Sequence, residues 1–128
     1  MLPLRSGHQV QLLCGGDQLF AAMIAALDAA RHEVRVETYI FHDDEGAARV
    51  ADALVRCARR GVRTYLVVDG VGTPKLTDAR RAEFADAGVR WQVFRPLGWL
   101  GLLVPSRWRR LHRKLCVADG EVAFCGGI

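Results

Sequence analysis

No Cys-x-x-Cys pair occurs in the sequence, and no histidine stands at zinc-ligand spacing from its four cysteines, which excludes the common structural zinc sites. Cys14, Cys57, Cys116 and Cys125 each lie in an apolar run, which predicts reduced, buried thiols in a cytoplasmic setting; a Cys116 to Cys125 bridge is the open disulfide alternative. No apolar run approaches the roughly 20 residues that cross a bilayer. The N-terminus carries neither the charged nor the long apolar region of a secretory signal. Membrane association is therefore expected to be peripheral or to come from further sequence. Internal repeats and low-complexity segments are also lacking. What remains is 128 residues, 51% hydrophobic and 25% charged, enough for one domain with a real core. The net charge of +4 is modest but concentrated, because Arg107, Arg109, Arg110, Arg113 and Lys114 crowd one stretch.

Taken in order, Gln9 to Cys14 alternates polar and apolar and predicts a strand, with Gly15-Gly16-Asp17 as turn and helix cap. Leu19, Met23, Ile24, Leu27 and Ala30 recur at helical spacing and predict an amphipathic helix over 17–31. Val34 to Phe41 predicts a second strand with Glu37 in its middle. Asp43-Asp44 is placed to cap the next helix, whose apolar face is Ala47, Val50, Ala51, Leu54 and Ala58 and whose stop is Gly61. Val62 to Val68 is almost unbroken apolar, the pattern of a strand covered on both faces. A third helix over Thr77 to Ala87 ends at Gly88, and Val89 to Phe94 is a further strand closed by Pro96. This order predicts an α/β chain with a mixed β-sheet flanked by helices. Leu97 to Val104 is apolar but broken by Gly98 and Gly101, and reads as a buried connector or as a loop that dips its Trp99 into a lipid interface.

The chemistry gathers at the end. Leu115 to Val117 and Val122 to Phe124 are short β-type runs joined by Asp119-Gly120, a strong hairpin signal. If His112 and Lys114 enter the first strand, their spacing of two puts both on one face. An imidazole beside a fixed ammonium suits attack or proton transfer at a phosphate. Gly126-Gly127 would let backbone N–H groups approach the same anion. Each feature taken singly has a plainer reading, as a solvated basic edge or as turn residues.

Taken together, His112-x-Lys114, four residues, Asp119, six residues and Gly126-Gly127 resemble the HKD motif of the phospholipase D superfamily. Glu37-Thr38-Tyr39-Ile40-Phe41, Gly61-Val62-Arg63, Val68 to Pro74 and Ala87-Gly88-Val89 extend the likeness. The whole is most similar to the amino-terminal half of the short bacterial cardiolipin synthases that lack amino-terminal membrane spans. The family pattern continues Gly-Gly-x-Asn, and Ile128 is one residue short of it. The expectation is therefore a first phospholipase D-like half-domain over 1–128, cut inside its motif, with the second HKD domain absent.

The resemblance implies phosphatidyl transfer through a phosphohistidine, without metal or other cofactor, on a phosphatidylglycerol-like phospholipid. It implies work at an anionic membrane surface, on the cytoplasmic face of the bacterial inner membrane. His112 would be nucleophile or acid/base residue, Lys114 would hold phosphate oxygens, and Asp119 would support the hairpin. Gly126, Gly127, Arg110 and Arg113 are candidate substrate-binding residues. Glu37, costly in an apolar strand unless paired, would orient an imidazole or meet the motif lysine, or else be a charge paired with a basic residue for structure. Asp69, at a strand's C-terminal end, is a weaker candidate whose plainer reading is a turn.

In-line displacement at phosphorus needs two imidazoles, and none of His8, His32 and His42 has a lysine two residues on. The second set must come from further sequence or from a second copy of the chain. Two alternatives stand beside the synthase: a single-motif phosphodiesterase or nuclease that acts as a homodimer, and a non-catalytic module that binds anionic phosphate. Trp99 among aliphatic residues favours lipid over nucleic acid.

Overall fold

A computed structural model describes residues 6–39, 41, 45–73, 76–94 and 111–126. Within them run α1 (Gly15–Ala29), β1 (Glu33–Thr38), α2 (Glu45–Arg59), β2 (Arg63–Asp69), α3 (Asp78–Ala87), β3 (Arg90–Phe94), β4 (Leu115–Ala118) and β5 (Val122–Cys125). The five strands form one sheet in the order β3-β2-β1-β4-β5. β1 pairs parallel to β2, and β2 parallel to β3. Helix crossovers make these pairs possible, because parallel neighbours cannot be joined by a tight turn. β4 then lies antiparallel on the other side of β1, with Val36 opposite Cys116 and Glu37 opposite Leu115. The sheet is thus mixed, as the alternation of elements predicts.

Strand side chains alternate between faces, and apart from Asp69 at the end of β2 the buried ones all fall on one. Val34, Val36, Thr64, Leu66, Val68, Cys116 and Ala118 point to a layer in which α1 packs on α2 and α2 on α3. Leu27, Leu54 and Phe84 reach that interface with no exposed surface. Each such side chain contributes about 1.5–3 kcal/mol by leaving water. On the opposite face the Tyr65 ring lies between the guanidinium groups of Arg35 and Arg90, at 5.1 and 5.6 Å.

The structure corrects several expectations. Residues 6–14 form no strand, and Val10 and Leu12 are 95% and 85% exposed. Helix α1 starts immediately after Cys14, which leaves no turn to bring that segment back to a sheet edge. Gly15-Gly16-Asp17 is the helix's first turn, and the N-cap is Cys14, whose N–H donates to Gln18 Oε1 at 2.9 Å. β2 is not covered on both faces among the described residues, since its burial alternates along the strand. His112 and Lys114 precede β4 and do not enter it. Cys57 and Cys116 are buried, but Cys14 and Cys125 are exposed. A Cys116 to Cys125 bridge is ruled out by register: Cys116 faces Phe124 across the hairpin and Cys125 faces Leu115, so the two thiols lie on opposite sides of the sheet.

The expected Asp43-Asp44 cap, Pro96, the Leu97 to Val104 loop with Trp99, and Arg107, Arg109, Arg110 and Gly127 lie outside the described residues.

Candidate active site

The predicted hairpin is formed, and its tip is tied to the start of β1. Asp119 and Gly120 both adopt positive φ, 54° and 68°, at the turn. Aspartate is one of the few side chains that tolerate this backbone, because it can bond locally in compensation. Here its carboxylate reaches further. It accepts the backbone N–H groups of Arg31, His32 and Glu33, each at 2.8 Å. These three donors hold its pKa down to about 2, from an ordinary 3.8. The Asp119 N–H in turn donates to the Glu33 carbonyl at 2.8 Å.

The other end of β4 carries the cationic part of the motif. Gly126 N–H donates to the Lys114 carbonyl at 3.3 Å, which extends the hairpin ladder by one residue beyond the strand. Lys114 then borders a cavity of about 250 Å³ under the sheet, lined by apolar side chains of α1, β1, α2 and β5 that include Phe20, Met23, Val36, Val50 and Phe124. Lys114 and Glu37 are the charged residues of this lining. An ammonium beside an apolar hollow suits a ligand with an anionic head and a hydrocarbon body.

His112 is exposed, and its ring stacks on Tyr39 with centroids 4.5 Å apart and planes inclined by 20°. Such stacking is worth about 0.5–1.5 kcal/mol beyond area burial and fixes one face of the imidazole while leaving its nitrogens at the edge. The chain just before it is anchored, because Leu111 N–H donates to Asp69 Oδ2 at 2.9 Å. Glu37 meets Arg113, with Oε2 3.6 Å from Nη1. That oxygen is buried and without a hydrogen bond among the described residues. Of the readings open for Glu37, this contact is the one with a basic residue, here between His112 and Lys114.

His112, Arg113, Lys114, Glu37 and Gly126 therefore gather at one end of the hairpin, while Asp119 stands at the other. Four strand residues at about 3.3 Å each separate them. Arg110 and Gly127 are outside the described residues. Reading by sequence missed Tyr39 as the stacking partner; it gave Asp69 as a weaker candidate whose plainer reading was a turn, and Asp69 makes that turn and in addition the bond to Leu111. The available signal was an aspartate closing the apolar strand β2. Among the described residues no group of three or more His, Cys, Asp or Glu side chains is placed to hold a metal ion. No described helix is long and apolar enough to cross a membrane.

Residues 23–128 match the family described as cardiolipin synthase, PLD-like domain. The chain is 40% identical over 97% of its length to cardiolipin synthase B of Salmonella typhimurium, of which it covers 30%. To cardiolipin synthase 1 of Bacillus anthracis it is 34% identical over 98% of its length, covering 25% of that protein. The chain thus spans under a third of these relatives. Among solved structures, its fold resembles Nuc from Salmonella typhimurium, a phospholipase D family member. That likeness has a TM-score of 0.50 at 24% identity and covers 77% of this chain and 56% of the other.

Proposed function

The chain belongs to the phospholipase D-like family of the cardiolipin synthases, and from that premise we propose that it supplies one half of a phosphatidyltransferase site. The observation that carries this reading is Lys114 at the edge of an apolar cavity, two residues after the exposed His112. The ammonium holds phosphate oxygens as a point charge, and the hollow accepts hydrocarbon. In the first step an imidazole nitrogen forms a bond to the lipid phosphorus, and the alcohol on the far side leaves with a proton from a second imidazole. In the second step a lipid hydroxyl returns its proton to that imidazole and takes the phosphatidyl group, and the P–N bond breaks. His112 fills one of the two roles. The other histidine belongs to further sequence or to a second copy of the chain. Asp119 supports the hairpin, and Arg113 is assigned to phosphate binding together with Arg110 and Gly127 from outside the described residues, whereas the Gly126 N–H is held by the Lys114 carbonyl.

On this reading the substrate is phosphatidylglycerol-like, and the protein works peripherally at an anionic membrane surface on the cytoplasmic face. A homodimeric phosphodiesterase would use the same residues; the apolar cavity favours lipid over nucleic acid. The test is His112→Ala in the full-length protein, assayed on vesicles that contain phosphatidylglycerol. Cardiolipin formation is expected to fall by at least about 10²-fold while the thermal unfolding curve stays in place. Undiminished turnover would overturn the role given to His112.

A further inference from the structure

The turn after β2 touches Tyr39 and the residue that precedes its stacking partner His112. Asp69 has no exposed surface, and burying a carboxylate is costly unless its oxygens are hydrogen-bonded. Its Oδ1 accepts Val71 N–H at 2.8 Å and Gly72 N–H at 3.3 Å, as any turn aspartate can. Its Oδ2 does something a simple turn does not require. It crosses to Leu111 N–H, 42 residues away, immediately before His112.

The same turn also holds the Tyr39 side. Thr73 Oγ1 donates to the Tyr39 carbonyl at 3.2 Å and accepts Phe41 N–H at 2.7 Å. Gly72 packs so closely that a Cβ there would run into the Tyr39 carbonyl oxygen. The turn itself is pinned by Thr73 N–H to the Asp69 carbonyl at 2.9 Å and by Gly70 N–H to the Phe94 carbonyl at 3.0 Å.

We propose that the Asp69–Thr73 turn positions the motif histidine: Asp69 sets the chain entering His112, and Thr73 with Gly72 sets the ring on which His112 stacks. Asp69 and Thr73 are positioning residues that touch neither substrate nor reacting atoms. The tie fixes the direction of the imidazole nitrogens before substrate arrives, and reactions at phosphorus depend on such alignment. The consequence for turnover rests on the reading of His112 given above, whereas the tie itself does not.

The experiment reads the two separately. In the NMR spectrum the His112 ring protons are expected to be shifted upfield by the Tyr39 ring, and Tyr39→Leu defines their unstacked position. Asp69→Asn replaces one acceptor oxygen by a donor and is expected to move these signals most of the way to the unstacked position. Thr73→Val is expected to do the same, and Thr73→Ser, which keeps the hydroxyl, to leave them in place. The methyl signals of Leu27 and Leu66 report that each variant is folded. If Asp69→Asn does not fold, the Thr73 pair decides: a stack lost in Val and kept in Ser supports the proposal, and identical behaviour overturns it. A folded Asp69→Asn with its stack intact overturns it as well. In the full-length enzyme, loss of the stack should lower kcat on the order of 10²-fold with KM little changed. A lost stack with full turnover would instead overturn the role given to His112.

Discussion

Asp119 earns its place in the motif by what it binds, and its chemistry carries a pH signature. The carboxylate titrates near 3.8 when unfolded and at about 2 in the folded chain. Its stabilising contribution is fully present above the unfolded value and is lost as pH falls through the folded one. Wild-type stability should therefore decline from about pH 4 towards pH 2, and Asp119→Asn should flatten that part of the curve while being less stable at neutral pH. Denaturation midpoints measured across this range check both statements. The thiols offer a second test. Burial pushes the Cys116 thiol up to about 12, and it raises Cys57 as well. A thiolate-directed reagent should label Cys14 and Cys125 in the native chain and all four cysteines only after unfolding. Mass spectrometry of the labelled peptides gives the answer directly.

Elements were legible where a local pattern carried the information. Helices α1 to α3 and the β4–β5 hairpin follow from apolar spacing, from Gly61 and Gly88 with their positive φ, and from Asp119-Gly120. Gln9 to Cys14 has a convincing alternation and forms no strand, because alternation describes a face and not the partner that would cover it. The Tyr39–His112 stack was hidden for the same kind of reason. It depends on β4 entering the sheet beside β1, a pairing that no local window contains. Asp69 could be noticed at the end of β2, but not its reach to Leu111. Packing at this level predicts that Gly72→Ala, which drives a methyl into the Tyr39 carbonyl, costs about 1–3 kcal/mol. Leu27→Ala, at a fully buried α1 position, should cost about 2–5 kcal/mol. Urea denaturation of the two variants measures both.

At the scale of the whole molecule, the helices and the sheet of the described residues enclose a hollow that ends at the motif. Ala47 lines it and is only partly buried, so Ala47→Phe can grow into the space without displacing the core beneath. That variant is expected to keep its thermal stability and its ring stack while raising KM for a long-chain lipid in the full-length enzyme. Unchanged KM would remove the cavity from the substrate path. The same scale explains why the family was recognisable although the site was only half legible. Motif spacing survives in linear order, whereas the geometry that joins residue 39 to residue 112 exists only once the sheet is assembled.

The sheet order also bears on how the protein is made. β1 has β2 on one side and β4 on the other, and β4 follows it by 77 residues, from Thr38 to Leu115. During synthesis β1, α2, β2, α3 and β3 leave the ribosome first, and throughout that interval β1 presents a bare row of backbone N–H and C=O groups. Such an edge is a template for strands of other nascent chains. The hairpin that carries the motif is therefore also the seal on this edge, and products truncated before Leu115 should accumulate in the insoluble fraction of an expressing cell while chains reaching Gly126 stay in solution.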